Sequence, residues 1–320
     1  NFRNIIINGD MSIAQRGTST SSVTTTDGYY ACDRWYSQTD TGTWTISQST
    51  DVPTGQGFVN SLKLDCTSAG TSNADEIGIR SNNEGLFFQH LKYGTSSAES
   101  LTLSFWIKTN KTGTYTVAFK NVNSSQERIV SFEYTVSSAN TWEKKTVTLP
   151  GDTARSIENT SNGEFEIYWY FSAAFGSGVT NTWQNYSAGY LSSGSLPGLG
   201  GSTDDEVYLT GVQLEIGSTA SDFEFLPFDV NLRRCQRYFF KLLDRRWLYA
   251  IDSDNDYARH TIQFPVQMRS TPTSTVTFSS DGTGSGVQFD NKNDVTLFVN
   301  GRGSTETDVS SGSKFDAELL

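Results

Sequence analysis

The sequence predicts an all-β protein: a β-sandwich, then a junction helix, then a small C-terminal β domain. Three observations carry that prediction. Aromatic residues reach 13 % of a chain whose hydrophobic content is only 35 % and charged content only 18 %, so a few large rings must anchor cores that Ser, Thr, Asn and Gly surround. Short runs of alternating apolar and polar residues recur with turn signals about every ten residues, the rhythm of a sandwich. Only one segment shows helical spacing. A chain of 320 residues fits two modest domains.

The elements follow in order. Residues 1–17 read as a compact unit, Ile5-Ile6-Ile7, a turn at Asn8-Gly9-Asp10, then Met11 to Gly17. The whole 1–30 segment is expected to pack on the sandwich or to dock the protein. The Thr/Ser tract Thr18 to Thr26 reads as an exposed loop, and Tyr29 to Tyr36, with Asp33-Arg34-Trp35, as a strand. The sandwich is expected over 31–217. Leu101, Leu103, Phe105 and Ile107 alternate onto one face of a strand, leaving Trp106 on the other. Tyr115, Val117 and Phe119 repeat the pattern, residues 129–136 and 142–149 add two strands, and Phe165 to Phe171 forms the strongest. Residues 172–205 break the rhythm, and loops of this length are often functional. Val207 to Glu215 closes the domain. Within a 218–245 linker, a helix near 229–243 is expected from the Asp229 cap and the spacing of Leu232, Cys235, Phe239 and Leu242. Its other face carries Arg233, Arg234 and Arg237, a solvated face or one that pairs with acids of a neighbour. Residues 246–320 return to strands at Trp247 to Ile251, Ala258 to Phe264, Ser274 to Phe278 and Val295 to Val299.

Composition excludes several function classes. A formal net charge of −11 argues against nucleic acid and anionic membrane, which both call for clustered Lys and Arg. No apolar run approaches a bilayer span. Ile5-Ile6-Ile7, stopped by Asn8-Gly9-Asp10, is too short for a signal-peptide core, and a chain that starts at Asn1 is expected to be a fragment or a processed product. Cys32, Cys66 and Cys235 are odd in number and widely spaced, which predicts free buried thiols made in a reducing cytoplasm. An enzyme is not expected: the two histidines, His90 and His260, lie far apart, no HExxH, GxSxG, Walker or CxxC pattern occurs, and among 35 acidic residues no spacing singles out a pair.

Several segments resemble bacteriophage tail-fibre and related virion receptor-binding proteins. They are Asn4 to Met11 with Gln15-Arg16-Gly17, then Asp33-Arg34-Trp35, then Gln213 to Gly217 with Phe223-Glu224 and Pro227-Phe228. Arg234 to Phe239, Phe264-Pro265 with Met268-Arg269 and Pro272, and Phe315 to Leu319 complete the set. The middle, 37–206, is similar in style to jelly-roll carbohydrate-binding modules, above all at Leu103 to Lys108 and Thr141 to Lys144. The resemblance implies a jelly-roll domain, a virion location, a host cell-surface glycan as partner, other virion tail proteins as neighbours and a homotrimer. With no coiled-coil or β-helix shaft, it fits a fibre tip or short spike. A structural calcium ion is the cofactor such modules often carry. Asp252, Asp254 and Asp256 alternate as in part of an EF-hand, but neither the Gly nor the closing Glu follows, so they read as a solvated turn. Asp204-Asp205-Glu206 likewise reads as a solvated acidic loop.

Glycan binding calls for flat aromatic faces plus polar groups for hydroxyls. Two places offer them. Trp106, Tyr168 and Tyr170 point away from the core, where they form a sugar groove, pack beneath the 172–205 loop, or meet another subunit. The loop itself carries Trp183, Tyr186 and Tyr190 beside Gln184 and Asn185, to bind or to cap the sandwich. Trp35, Trp142 and Trp247 are expected in cores. The rival readings are a structural virion protein acting through protein contacts and a glycan-degrading enzyme.

Overall fold

The structure is a computed structural model. It describes residues 2–319 except 71–74, 174–175, 195, 245, 250–256, 277–285, 289–291, 301–305 and 310–311. The side chains of 246–249, 257–260, 286–288, 298–300 and 306–309 are also left undescribed. The chain divides into two units, Asn1–Pro227 with Leu319–Leu320, and Phe228–Glu318.

The first unit is a jelly-roll β-sandwich. One sheet has the order β1 (Ser19–Val23), β4 (Thr43–Ser49), β5 (Ser61–Ser68), β13 (Glu206–Ile216), β7 (Leu101–Thr109), β10 (Glu143–Leu149). The other has the order β12 (Gln184–Asn185), β9 (Arg128–Val136), β8 (Gly113–Asn121), β11 (Gly163–Ser172), β6 (Ile77–Glu84), β3 (Tyr36–Thr39), β2 (Gly28–Tyr29). Period-2 alternation explains the core between them. Leu101, Leu103, Phe105 and Ile107 of β7 face Phe165, Ile167, Trp169 and Phe171 of β11, all fully buried. Phe105 and Trp169 meet edge to face at 5.8 Å. All three cysteines are free and buried.

Residues 1–30 are fastened to this sandwich, within the same unit. The Asn4 side chain takes the amides of Ile6 and Leu214, at 3.0 and 3.1 Å, and donates to Val212 O. Gly9 runs so close to β13 that a Cβ there would sit 2.0 Å from Val212 O. Thr18 to Thr26 is not a loop: β1 pairs antiparallel with β4, because Val23 is buried and the edge of β4 would otherwise be open. Tyr29 to Tyr36 is not one strand either. Two short strands flank residues 30–35, where Trp35 enters the core and its Nε1 donates to Asn8 O at 2.9 Å. Asp205 is buried rather than solvated, ion-paired with Lys111 at 2.9 Å and accepting the Gly200 amide at 2.8 Å.

The second unit opens with α1 (Phe228–Gln236), with Asp229 in its first turn. The helix stops well short of 243. Phe239 and Phe240 instead enter β14 (Phe239–Lys241), opposite Asp316 and Phe315 of β21 (Lys314–Asp316), so ladder pairing overrides helical spacing. With β17 (Thr273–Thr275) these form one small sheet. β15 (Arg246–Tyr249) pairs with β20 (Glu306–Val309), and β16 (Tyr257–Gln263) with β19 (Asp294–Asn300) and β18 (Gly286–Gln288). Leu242, Ile262, Phe264, Met268, Val295, Leu297 and Phe315 make its core. Trp247, expected in a core, lies outside the described side chains.

Candidate functional site

The outer face of the six-stranded sheet carries a small aromatic hollow. Trp106 points away from the core from β7, flanked by Thr210 of β13 and Lys144 of β10. The β13 register slips between Thr210 and Gln213, and Gly211 there has φ +61°. A Cβ on Gly211 would lie 2.6 Å from Phe58 and 2.9 Å from Trp106. Glycine is thus what lets the two rings converge. Phe58, Phe223 and Phe225 pack on one another with centroids 4.9 to 5.2 Å apart, and Phe225 remains 49 % exposed. Together these rings and Trp106 enclose about 250 Å³, with Gln56, Ser104, Lys144 and Asp222 supplying polar groups.

The next rung of the same face is held by charge. Lys108 pairs with Asp51 and lies 4.0 Å from the Tyr208 ring centroid. Trp142 is not a core residue. It sits half-buried on this face, donating Nε1 to Asp51 at 2.9 Å and meeting Tyr208 edge to face. Burial works to raise the Asp51 pKa, yet hydrogen bonds from Lys108 and Trp142 outweigh it and hold the carboxyl below its ordinary value.

The outer face of the seven-stranded sheet is closed. Tyr168 and Tyr170 stack at 5.7 Å with planes 5° apart, and only 7 % and 2 % of them is exposed. Leu191 lies on them, with Tyr186 and Tyr190 partly buried alongside. Burial pushes the Tyr170 phenol well above its ordinary pKa. The Lys120 ammonium lies 4.4 Å from the Tyr186 centroid. Trp183 goes further in: it is 8 % exposed, donates Nε1 to Pro150 O at 2.7 Å and joins the sandwich core beside Tyr93 and Phe165. The 172–205 segment is therefore a cap, and it hides the rings that its own sequence advertises.

Of the six aromatics predicted from sequence, Trp106 borders an open hollow. Tyr168 and Tyr170 lie under the cap, Tyr186 and Tyr190 of the cap pack partly buried against them, and Trp183 is buried in the core. Phe58, Phe223, Phe225 and Gly211 were missed. A glycine inside a strand pattern is a bulge signal, and Phe223-Glu224-Phe225 alternates after the closing strand. Among the described residues, no three His, Cys, Asp or Glu come together to hold a metal ion. Asp252, Asp254 and Asp256 lie outside the described residues. No helix among the described residues is long and apolar enough to cross a membrane.

No family model matches the chain, and no curated protein sequence does. Solved structures do. The chain is similar to the enzymatically active domain of tailspike protein 4 from bacteriophage CBA120, with 15 % identity and a TM-score of 0.36 over 67 % of this chain and 22 % of that one. It is similar to a putative sugar binding protein from Bacteroides thetaiotaomicron, with 13 % identity and a TM-score of 0.35 over 67 % of this chain and all of that one. It is also similar to a xylan-binding domain, CBM22-1, from Paenibacillus barcinonensis Xyn10C, with 12 % identity and a TM-score of 0.30 over 63 % and 94 % of the two chains.

Proposed function

We propose that this protein is a virion tail-fibre or spike component that adheres to host cell-surface polysaccharide through the Trp106 hollow, without cutting it. The carrying observation is the hollow itself: aromatic walls from Trp106, Phe58, Phe223 and Phe225 beside Ser104, Gln56, Lys144 and Asp222. Aromatic faces take the C–H face of a sugar ring, while hydroxyl, amide and charged groups take its hydroxyls. Its virion setting, tail-protein neighbours and trimeric state are supported by the sequence segments that resemble tail-fibre proteins. Binding is weak per site and gains from several copies.

The test is a glycan array of host-surface polysaccharides probed with the wild-type protein and Trp106→Ala. Loss of one stacking partner should weaken binding by about tenfold or more, with the far-UV spectrum unchanged. Selective binding that survives in the variant would move the site elsewhere. A folded protein that binds no polysaccharide on a relevant panel would make the hollow a contact for another virion protein.

One observation favours a second reading, glycan cleavage. Glu158 and Glu164 line a hollow with Glu127, Asn123 and Asn162. Hydrogen bonds from Ser124 hold the Glu158 carboxyl below its ordinary pKa, while burial and the nearby Glu158 raise that of Glu164. Opposed shifts of this kind separate an acid from a base. If the chain shortens a polysaccharide, Glu164→Gln should abolish the shortening and leave binding intact. Equal, null release of reducing ends by wild type and variant removes this reading.

A further inference from the structure

The hollow around Trp106 holds two opposite charges that no other described group engages. The six-stranded sheet carries four lysines: Lys63 of β5, Lys108 of β7, and Lys144 and Lys145 of β10. Lys63 pairs with Asp65 and Glu206 at 3.2 and 2.9 Å, Lys108 with Asp51, and Lys145 with Glu143. Lys144 makes no ion pair or hydrogen bond among the described residues, although acids outnumber Lys and Arg by 35 to 24 in this chain. It is also the lysine that stands directly opposite Trp106 in the β7–β10 ladder, and it lines the hollow. Asp222 lines the same hollow, and its carbonyl rather than its carboxylate takes the bonds from Arg3 and Gln213. Ser104, the next residue of β7 on the Trp106 face, is 3 % exposed, yet its hydroxyl bonds no other described group. A buried hydroxyl is costly to leave unbonded unless a water or a ligand satisfies it.

Solvation alone accounts for an unpaired surface lysine. On an edge strand such as β10 a lysine also discourages pairing with another sheet. Neither role sets the lysine opposite an indole, beside an unbonded buried hydroxyl and an unpaired carboxylate. Directly opposed residues of an antiparallel pair have Cβ atoms about 5 Å apart. A sugar ring stacked on Trp106 therefore brings its edge within reach of the Lys144 ammonium. A hexuronic acid has the matching layout: a C–H face for the indole, a carboxylate at the ring edge and hydroxyls around the rest. Lys144 takes the carboxylate through a charge-assisted hydrogen bond, while Ser104 and Asp222 take hydroxyls. One cation with one anion nearby suits a single negative charge better than a phosphate dianion.

We infer that the residue seated in the Trp106 hollow is a uronic acid, and that Lys144 selects it over the neutral sugar of the same shape. This deepens the adhesion reading and rests on it. The formal charge of −11 works against any polyanion. A preference for the acidic form therefore reports a local contact rather than the field of the whole chain.

The experiment measures equilibrium binding of the full chain to polygalacturonate, alginate and hyaluronate. Each is set beside its own carboxyl-reduced form, in which the acid is a primary alcohol and the backbone is unchanged. Wild type should bind at least one acidic polymer about fivefold more tightly than its reduced form, the upper end for an exposed ion pair. The gap should narrow as salt rises. Lys144→Gln should close the gap, Lys144→Glu should reverse it, and Lys144→Arg should keep it. Lys314→Gln, at an exposed lysine of β21, should also keep it. A wild type that binds both forms alike, or prefers the reduced one, overturns the inference and leaves adhesion standing. So does a gap that survives in Lys144→Gln, or one that Lys314→Gln removes as fully. A wild type that binds none of these polymers overturns the inference too, and adhesion falls with it only if the glycan array is also blank.

Discussion

Trp183→Ala is expected to destabilise the sandwich unit by about 3–5 kcal/mol, the usual cost of removing a buried tryptophan. The ring fills core space beside Tyr93 and Phe165, at centroid distances of 5.9 and 6.5 Å. Its loss leaves a cavity and also orphans Pro150 O, which takes the indole hydrogen bond at 2.7 Å. The backbone is fastened too, since Arg128 donates to Trp183 O at 3.0 Å and Gln184 pairs with Ile129. Domains have about 5–15 kcal/mol in total, so the cap and the sheet face beneath it should loosen together. Urea unfolding with an unchanged m-value is the check, and Trp183→Phe should cost less because it keeps most of the packing. A Trp183→Ala protein of wild-type stability that has lost glycan binding would make the ring a binding platform and refute the cap.

That contrast shows where sequence reasoning reached and where it stopped. Alternation along Leu101 to Lys108 and along Phe165 to Phe171 identified which side chains enter the core, because a strand permits only two faces. It could not say what covers the far face. Tyr168 and Trp106 looked alike from sequence, each an aromatic on the non-core side. They differ because Leu191, Tyr186 and Tyr190 return over one sheet, while the short stretches around Phe58 and around Phe223 and Phe225 border an open hollow on the other. Such coverage depends on contacts between residues far apart in the chain. The helix was overextended for a related reason: Phe239 and Leu242 have helical spacing, but a partner strand more than seventy residues downstream claims Phe239. Thr18 to Thr26 lacks apolar alternation, and only the waiting edge of β4 makes part of it a strand.

The two outer faces are also built differently. The seven-stranded sheet spends its outer aromatics on stability, stacking Tyr168 on Tyr170 under Leu191. The six-stranded sheet keeps Trp106 half-buried and fixes Lys108, Asp51, Trp142 and Tyr208 in a network beside it. A rigid neighbour of this kind holds an aromatic wall in place before any ligand arrives, which lowers the ordering cost of binding.

Asn8→Ala is expected to cost about 4 kcal/mol, through three lost hydrogen bonds and a strained backbone. Asn8 is buried with φ 59°, a conformation that Asn tolerates and Ala resists. Its Nδ2 donates to Ile13 O at 2.9 Å and to Asp33 O at 2.8 Å, and its Oδ1 accepts the Ile13 amide at 2.9 Å. Ile13 O keeps the Asp33 amide at 2.9 Å, so the uncompensated desolvation falls chiefly on the buried Ile13 amide. The backbone of Asn8 matters as well, because Trp35 donates to its carbonyl from within the core. Two companions separate the contributions. Asn8→Gly relieves the left-handed strain but not the lost bonds, and should be about 1 kcal/mol more stable than Asn8→Ala. Asn8→Asp keeps an acceptor for Ile13 and loses both donors. All three should lower the midpoint of the whole sandwich transition, because residues 1–17 are tied to both β13 and the Asp33 turn. A midpoint that moves by less than about 1 kcal/mol in Asn8→Ala, with local proteolysis near the N-terminus, would mean that this segment folds apart from the sandwich and is free to dock elsewhere.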